Sequence, residues 1–384
     1  LGDVYKRQEK VDYGMNYFFI AIAFLVAVFM GWIITPQILL VAFRKRLFDS
    51  VGGRKTHNGI VPRLGGVVFV PVQCFLLVLS MFFMYKLEMT PHLQDPFIPF
   101  QFLLLMIGLL ILSMVGVIDD LIRIDYRRKF VAQIVASLFL PLSGLWINDL
   151  YGLLGITTLS PWIGMPLTVF VAVFIINAVN LIDGIDGLCS GLVGMGALVF
   201  GFLFIYNGAW LHAVFAFITA GVLCPFFYYN VFGKSKGRQR IFMGDTGSLT
   251  LGLSMAFLAI SYAMNNPLIK PFSEGAIVVS FATLIVPLFD VVRVVWIRYR
   301  SHQPFFMPDQ NHIHHKFLRM GLSHYATMAL ILALAFFLSF FNIIAVEYIS
   351  NNIVIFIDIV LWVAFHLWLD RRELIRTKHG IVND

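Results

Sequence analysis

Charged residues are scarce in this sequence. Only 13% of its 384 residues are Asp, Glu, Lys or Arg, whereas 59% are hydrophobic and the mean hydropathy is +0.85. A soluble domain carries about 25% charged residues, which it needs to cover its surface. The composition therefore excludes a soluble enzyme, a disordered chain and a collagen-like fibre, and it predicts an integral membrane protein.

Cysteine is almost as rare. Cys74, Cys189 and Cys224 are the three cysteines of the chain, and each lies inside an apolar run. An odd number without metal-type spacing excludes a disulfide scaffold and a cysteine metal site. We interpret all three as packing residues within the membrane.

Long hydrophobic runs, by contrast, fill the chain. A helix needs roughly 20 apolar residues to cross the hydrocarbon core, and this length predicts an all-α polytopic protein with about eleven transmembrane helices. The first methionine is Met15, so we expect residues 1–15 to be a non-native or disordered leader, before one transmembrane domain at 16–370 and a basic tail at 371–384. The predicted helices lie near residues 18–43, 64–85, 98–118, 130–148, 162–180, 187–206, 210–232, 246–264, 274–297, 322–345 and 352–369.

The positions of the basic residues predict the orientation. The odd-numbered loops and the C-terminal tail hold 22 Lys and Arg, and the even-numbered loops hold two. Because cytoplasmic loops are enriched in Lys and Arg, we expect the odd loops and the C-terminus in the cytoplasm and the N-terminus outside. Topology thus accounts for most of the net charge of +7, and nucleic acid is excluded as a partner.

The acidic residues near the predicted helix ends gather on one side. Ionisable groups at membrane depth are costly and mark functional sites. Several carboxylates at one leaflet repel each other unless metal ions or basic side chains offset their charge. By the predicted topology, the carboxylates that face the cytoplasm are Asp119, Asp120, Asp183, Asp186, Asp245 and Asp290.

Two polar motifs contain half of these carboxylates. In NAVNLIDGIDGLCSGL (177–192), polar residues recur every three positions, which predicts that they wind around one side of a helix. In FMGDTGSLTLG (242–252), a carboxylate and hydroxyls lie at a helix N-terminus, which suits a hard cation and phosphate oxygens. Helix capping is the alternative interpretation of both motifs. The recurring polar residues of the first motif are Asn177, Asn180, Asp183 and Asp186.

Three further motifs are less specific. The adjacent Asp119 and Asp120 follow an apolar helix and point different ways, so only one is expected to reach a given reactant, and a plain charged helix end is the alternative. RKTHNGIVPRLGG (54–66) suits phosphate binding, although the positive-inside rule explains its cations almost as well. PDQNHIHHKF (308–317) suits zinc, but the carboxylates nearby favour Mg²⁺ or Mn²⁺, and we favour histidines that contact substrate phosphate or sugar.

In this order, the five motifs resemble those of the polyprenyl-phosphate N-acetylhexosamine-1-phosphate transferases of glycosyltransferase family 4. The resemblance covers about residues 18–345, and it implies that the domain at 16–370 is a Mg²⁺-dependent phosphoglycosyltransferase. It implies transfer of N-acetylglucosamine-1-phosphate from UDP-GlcNAc to undecaprenyl phosphate with release of UMP. This would be the first membrane step of a cell-envelope glycan such as O-antigen or teichoic acid. The implied location is the bacterial cytoplasmic (inner) membrane, with the active site on its cytoplasmic face.

Two details favour the N-acetylglucosamine branch of this family. The phospho-MurNAc-pentapeptide transferases of peptidoglycan synthesis typically have a threonine-bearing stretch where this chain has PRLGG (62–66). They also have an acidic residue after the histidines, where this chain has Lys316. Phospho-MurNAc-pentapeptide transfer remains the alternative function. UDP-GalNAc as donor and a homodimer as the assembly also stay open.

The resemblance also implies roles for individual residues. Asp245 resembles the Mg²⁺ ligand, with Mn²⁺ as a second candidate ion, and Asp119 resembles the carboxylate that activates the lipid phosphate, with Asp120 beside it. The implied nucleotide pocket consists of Asn180, Asp183, Asp186 and Phe242, whose ring stacks on uracil. The residues implied near phosphate or sugar are Arg54, Lys55, His57, Arg63, His312, His314 and His315.

Two other classes of protein fit the sequence less well. A secondary transporter places its ionisable groups near the bilayer midplane and often has repeated halves, whereas these carboxylates lie at one interface and no repeat is visible. A membrane zinc protease needs the HExxH pattern with its glutamate base, which HIHH (312–315) lacks.

Overall fold

The computed structural model describes residues 2–45, 47, 61–89, 97–234, 239–304 and 311–378, with side chains omitted at 2–13 and 376–378. These residues form an α-helical bundle with one small β-hairpin. The helices are α1 (Gly2–Arg44), α2 (Phe69–Lys86), α3 (Phe97–Ile122), α4 (Tyr126–Leu142), α5 (Pro161–Ile182), α6 (Leu188–Tyr206), α7 (Trp210–Val231), α8 (Gly244–Ala263), α9 (Ala276–Ala282), α10 (Ile285–Arg300), α11 (Ile313–Arg319), α12 (His324–Ala345) and α13 (Asn351–Lys378). A short 3₁₀ helix at Gly65–Val68 leads into α2, and the hairpin pairs β1 (Asp149–Leu153) with β2 (Ile156–Thr158).

The helices confirm the all-α polytopic class. Within the described residues, nine helices are long and apolar enough to cross a membrane, or ten if the bent pair α9–α10 is one span. The predicted orientation of the helices in the membrane stays a prediction. The backbone of α1 begins at Gly2, so most of the segment at 1–15 continues into the first helix; that this segment is non-native also stays a prediction.

The predicted helix near 130–148 differs from the structure. Its counterpart, α4, begins at Tyr126 and ends at Leu142, and its 17 residues fall short of a full membrane span. The helix begins with charged residues that the hydropathy pattern had assigned to a loop, and Pro141 lies in its last turn. The chain then turns into the β1–β2 hairpin, an element that the all-α prediction did not include.

The predicted helix near 274–297 is broken. Helices α9 and α10 meet at an angle of 81° around residues 283–284. Pro287 explains the position of the break, because a proline ring clashes with the carbonyl four residues earlier, here that of Thr283. Helix α9 packs against α8 and α12, and beyond the bend α10 packs against α5 as well as α12.

Helix α8 lies at the centre of the bundle. All of its residues from Thr246 to Ala263 are buried, and it packs along α3 and α5. The N-terminus of α8 lies beside the C-terminal ends of α3 and α5, as the hydrogen bonds described below demonstrate. This arrangement brings three of the polar motifs to one end of the bundle.

Candidate active site

Asp119 and Asp245 share the ammonium group of Lys129. The Lys129 Nζ lies 3.1 Å from Oδ2 of Asp119 at the end of α3, and 2.7 Å from Oδ2 of Asp245 in the first turn of α8. The backbone N–H of Ile124 donates to the other oxygen of Asp119 at 2.7 Å. These side chains are partly open to solvent, with exposed fractions of 11% for Asp119, 23% for Lys129 and 28% for Asp245. Two carboxylates and one cation thus form a small accessible cluster.

Asp120 points away from this cluster and holds the N-terminus of α8. Its carboxylate accepts the backbone N–H groups of Asp245 at 2.8 Å and Thr246 at 3.0 Å, and the Thr246 hydroxyl at 2.6 Å. A carboxylate at this position satisfies amides that a helix start leaves without partners. Of the adjacent pair, Asp119 therefore lies at the cluster, whereas Asp120 ties α3 to α8.

Asn180 connects the end of α5 to the same cluster. Its side-chain Nδ2 donates to Oδ1 of Asp245 at 3.1 Å and to the hydroxyl of Ser248 at 2.8 Å. The predicted helical face from Asn177 to Asp186 is only partly correct, because α5 ends at Ile182. Asn177 instead donates to Oε1 of Gln133 on α4 at 2.6 Å, so it joins two helices and lies outside the cluster.

Asp183 directly follows α5. The residue as a whole is exposed, although neighbouring protein desolvates its carboxyl group in part. This partial desolvation raises the pKa of Asp183 to about 7; the charges of Asp245 and Asp120 add to the rise, and Arg63 opposes it. Asp183 is thus close enough to both carboxylates to be affected by their charge, as a member of one acidic site would be.

Asp186 lies on the other side of the loop between α5 and α6. It forms an ion pair with Arg240 and accepts from Nδ2 of Asn230 at 3.3 Å. The buried Asn230 side chain also donates to the carbonyl of Ile241 at 2.8 Å and accepts the N–H of Gly187 at 2.6 Å. Asn230 therefore fixes the Asp186 loop against the segment that carries Phe242.

Phe242 lies beside this ion pair. The guanidinium carbon of Arg240 is 6.0 Å from the centroid of the Phe242 ring, within the range of a cation–π contact. The ring is partly exposed, as an aromatic residue that stacks on a base needs to be.

Residues 62–66, the C-terminal half of the predicted phosphate-binding motif, form backbone hydrogen bonds with the segment that carries Phe242. The N–H of Phe242 donates to the carbonyl of Pro62 at 2.9 Å, and the N–H groups of Gly65 and Gly66 donate back to residues 242 and 243 at 2.9 Å. A Cβ atom on Gly244 would lie 2.1 Å from the Arg63 carbonyl oxygen, so only glycine allows this approach. Arg63 is thereby placed at the site, whereas Arg54, Lys55 and His57 lie outside the described residues.

The histidine motif approaches the site from α11. Nδ1 of His312 lies 2.8 Å from Oδ2 of Asp290, whose other oxygen accepts the N–H of Ile313 at 3.1 Å. His314 is buried against Gly184, where an added Cβ would lie 2.1 Å from its Nε2. The His315 ring is 4.2 Å from that of His314. The motif thus meets the loop that carries Asp183.

His314 is neutral near pH 7. Burial is the main cause that lowers its pKa to about 3, and the neighbouring His315 and His312 add to the effect. Neither ring nitrogen has a hydrogen-bond partner among the described residues. Both nitrogens are buried, so each is a polar atom whose hydrogen-bonding capacity is unsatisfied within these residues.

The carboxylate pair is where a divalent cation fits. No group of three His, Cys, Asp or Glu side chains within the described ranges could hold a metal ion by itself. Mg²⁺, however, usually binds through one or two carboxylates and completes its shell with water and substrate phosphates. Asp245 and Asp119 already accommodate a cation, the Lys129 ammonium, so their geometry and charge suit such an ion.

Several residues at the site were not predicted. The positive-inside pattern already explains Lys129 from the sequence, and Asp290 is predicted as one of the six carboxylates that face the cytoplasm but without its partner, His312. Asn230 has no signal in a single sequence, and Ser248 is predicted only as a hydroxyl of the FMGDTGSLTLG motif, because their partners are 44 and 68 residues away. Arg240 was likewise counted only among the basic loop residues.

The chain is similar in sequence to known proteins. A sequence model described as glycosyl transferase family 4 matches residues 102–263, which include Asp119, Lys129, Asn180 and Asp245. The chain is 31% identical over 323 residues to a probable undecaprenyl-phosphate N-acetylglucosaminyl 1-phosphate transferase of Bacillus subtilis, a match that covers 83% of each chain.

Two further relatives carry the name undecaprenyl-phosphate alpha-N-acetylglucosaminyl 1-phosphate transferase. The protein of Yersinia pestis is 29% identical, over 79% of this chain and 78% of its own length. The protein of Escherichia coli K12 is 28% identical, over 85% of this chain and 84% of its own length. Because these matches extend over most of both proteins, the chain belongs to glycosyl transferase family 4.

Proposed function

We propose that the chain transfers N-acetylglucosamine-1-phosphate from UDP-GlcNAc to undecaprenyl phosphate and releases UMP, as the first membrane step of a cell-envelope glycan. The observation that carries this proposal is the cluster of Asp119, Lys129 and Asp245 at one end of a membrane-type bundle, beside Asp183. The names of the relatives support the same acceptor and the same sugar.

The acceptor supplies the nucleophile. A phosphate monoester has a second pKa near about 6, so the lipid phosphate is largely dianionic at neutral pH and needs little help from a base. An oxygen of this phosphate attacks the phosphorus that carries the sugar, and the P–O bond to the UMP phosphate breaks with its electron pair leaving on UMP. Lys129 neutralises the approaching phosphate, and Asp119 holds Lys129 in place and accepts any remaining proton.

The donor lies across the neighbouring residues. The partly exposed ring of Phe242 stacks on uracil, while Asp183 and Asp186 hold the nucleotide. The histidine motif lies near the diphosphate or the sugar, and His314 within it is neutral, since burial lowers its pKa to about 3.

Asp245 would hold Mg²⁺, or Mn²⁺, with Asp119 next to it. Such an ion would supply positive charge for the diphosphate and for the departing UMP. Phosphoryl transfer depends mainly on such positioning and charge neutralisation, which agrees with a site made of cations and carboxylates.

The site faces the cytoplasm in this proposal. Arg63 and Arg240 lie in basic loops, Lys129 lies in the basic first turn of α4, and basic segments between membrane spans stay on the cytoplasmic side. The donor is water-soluble and cytoplasmic, and the lipid phosphate lies at the inner leaflet of the cytoplasmic membrane while its tail stays in the hydrocarbon. The two substrates therefore meet at this end of the bundle.

The test is UMP release by purified protein with undecaprenyl phosphate, Mg²⁺ and a panel of UDP-sugars that includes UDP-GlcNAc, UDP-GalNAc and UDP-MurNAc-pentapeptide. We expect turnover with UDP-GlcNAc, and loss of turnover in Asp245→Asn. Asp125→Asn is the matched control, because Asp125 is an exposed carboxylate that makes no capping bond at the start of α4. Undiminished turnover in Asp245→Asn would remove Asp245 as the metal ligand, and no UMP from any UDP-sugar would refute the function.

Direct attack also predicts sequential kinetics. A covalent aspartyl-phosphate would instead let labelled UMP exchange into the donor without any lipid phosphate. We expect no such exchange.

A further inference from the structure

Helix α13 lies outside the stretch that the family model matches, and from the sequence it is only a last span with a basic tail. Its side chains indicate more than an anchor. Polar or amphipathic residues recur every four positions along the helix, which places them on one face. They are Asp358, Trp362, His366 and Asp370, and the first three are buried.

The cytoplasmic end of this face contacts α11 on two successive turns. Asp370 forms an ion pair with Lys316. Glu373 accepts from Nε of Arg319 at 2.6 Å and from Nη2 at 3.5 Å. The ring of Phe365 lies 6.2 Å from that of Phe317. Two ion pairs and a ring contact thus connect the helices.

Arg371 and Arg372 of α13 lie away from this contact. Arg371 and Arg372 are exposed, and the Arg372 guanidinium lies 5.6 Å from the ring centroid of Trp368. Exposed Arg and Trp at a membrane interface suit lipid headgroups. Because the acidic residues face α11 and these basic residues face outward, membrane anchoring does not explain the acidic pair.

Helix α11 needs such support. It has only seven residues, far fewer than an isolated helix requires in water. Asp290 holds its N-terminal end through His312 and Ile313, and α13 holds its C-terminal half. His314 lies between these two attachments and rests against Gly184.

We propose that Asp370 and Glu373 are positioning residues, which hold α11 so that His314 stays against Gly184 at the donor site. This inference rests on the proposed function through the role of the histidines in binding the donor. The burial of Lys316 supports this role, because its side chain is only 8% exposed while that of Asp370 is 50% exposed. Loss of Asp370 would leave a buried ammonium without its partner, and α11 would shift to hydrate it.

The test uses full-length protein in nanodiscs and measures KM separately for UDP-GlcNAc and for undecaprenyl phosphate. Arg319→Glu and Glu373→Arg each place like charges together, and the double swap restores an ion pair with its direction reversed. We expect each single variant to raise the donor KM about fivefold to tenfold, with ~1.4 kcal/mol as the equivalent of tenfold. The lipid KM should stay within about twofold, and the double swap should recover most of the donor KM.

Asp370→Asn should raise the donor KM in the same way, and Arg371→Gln is its matched control on the exposed face of the same turn. Hydrogen exchange across α11, followed by mass spectrometry, gives a second readout that needs no turnover. The single variants should exchange faster in residues 313–319, and the double swap should restore protection.

Three outcomes separate the two proposals. An unchanged donor KM with unchanged exchange in α11 refutes the positioning role. Equal losses for both substrates that the double swap does not repair refute it as well, because they indicate general destabilisation. A wild-type protein that releases no UMP from any UDP-sugar refutes the proposed function alone, and the exchange of α11 then decides the positioning role by itself.

Discussion

Lys129 gives the sharpest prediction about the site. Lys129→Gln keeps a side chain of similar length and a hydrogen-bond donor, but it removes the charge shared by Asp119 and Asp245. The two carboxylates then face each other without the cation between them, and the incoming lipid phosphate adds further negative charge. We therefore expect this variant to lose activity much more than it loses stability.

The size of the loss follows from the contacts. A hydrogen bond to a charged group contributes about 1.5–3 kcal/mol, and Lys129 makes two of them, at 2.7 and 3.1 Å. All three side chains are partly exposed, with fractions of 11–28%, so solvent screening places the effect at the lower end of the sum. In the proposed mechanism the Lys129 ammonium makes contacts of the same kind to the transferring phosphate, and a loss of ~3 kcal/mol of transition-state stabilisation there corresponds to roughly 100-fold in kcat/KM.

The assay is steady-state UMP release at saturating Mg²⁺, with the thermal stability of each variant measured in the same detergent. Lys129→Arg should retain more activity than Lys129→Gln, because it keeps the positive charge. Arg128→Gln is the matched control, since it removes one exposed charge from the same turn of α4. A Lys129→Gln enzyme within about threefold of wild-type kcat/KM would refute the reasoning, because the positive charge of Lys129 between the two carboxylates would then be dispensable for the reaction.

Three further predictions concern the surrounding residues. Asp120→Ala should lower the free energy of unfolding by about 1–2 kcal/mol, since it removes a carboxylate that caps α8, and urea titration of the purified protein would measure this. Asn230→Ala should raise the KM for UDP-GlcNAc more than that for the lipid, because it frees the Asp186 loop; equal changes in both would contradict its role. His314 has an ordinary pKa of about 6.5 when unfolded but one near about 3 when folded, so the unfolded chain binds an extra proton as the pH falls below about 6.5. Between pH 6.5 and 5, the free energy of unfolding of the wild type should therefore fall by up to about 2 kcal/mol more than that of His314→Gln. Identical pH profiles of thermal stability for the two proteins would disprove this prediction.

Hydropathy predicted most of the helices because crossing a bilayer imposes a length and an apolar composition. It failed where local chemistry competes with that rule. In α4 the helix begins inside a run of charged residues, and after Leu142 the chain forms a hairpin. In α9–α10 a proline breaks an otherwise continuous apolar run. Neither feature changes the average hydropathy enough to be seen.

The carboxylates were easier to predict than their partners. A carboxylate at membrane depth is costly, so its presence alone is a signal. The geometry then separated Asp119 from Asp120, as expected for neighbours on a helix that point different ways. Asn177 shows the limit of spacing as a guide, because its pairing with Gln133 depends on where α4 packs.

The role of Lys129 could not be predicted from the sequence, for a different reason. Every Lys and Arg in these loops already had an explanation, the positive-inside rule, and that rule cannot distinguish a lysine that faces lipid headgroups from one that faces a carboxylate. The distinction depends on the packing of α4 between α3 and α5, which brings Nζ of Lys129 to a carboxylate 116 residues further along the chain. In this membrane site the acidic residues therefore mark the location, whereas the cation that makes their proximity tolerable becomes apparent only from the fold.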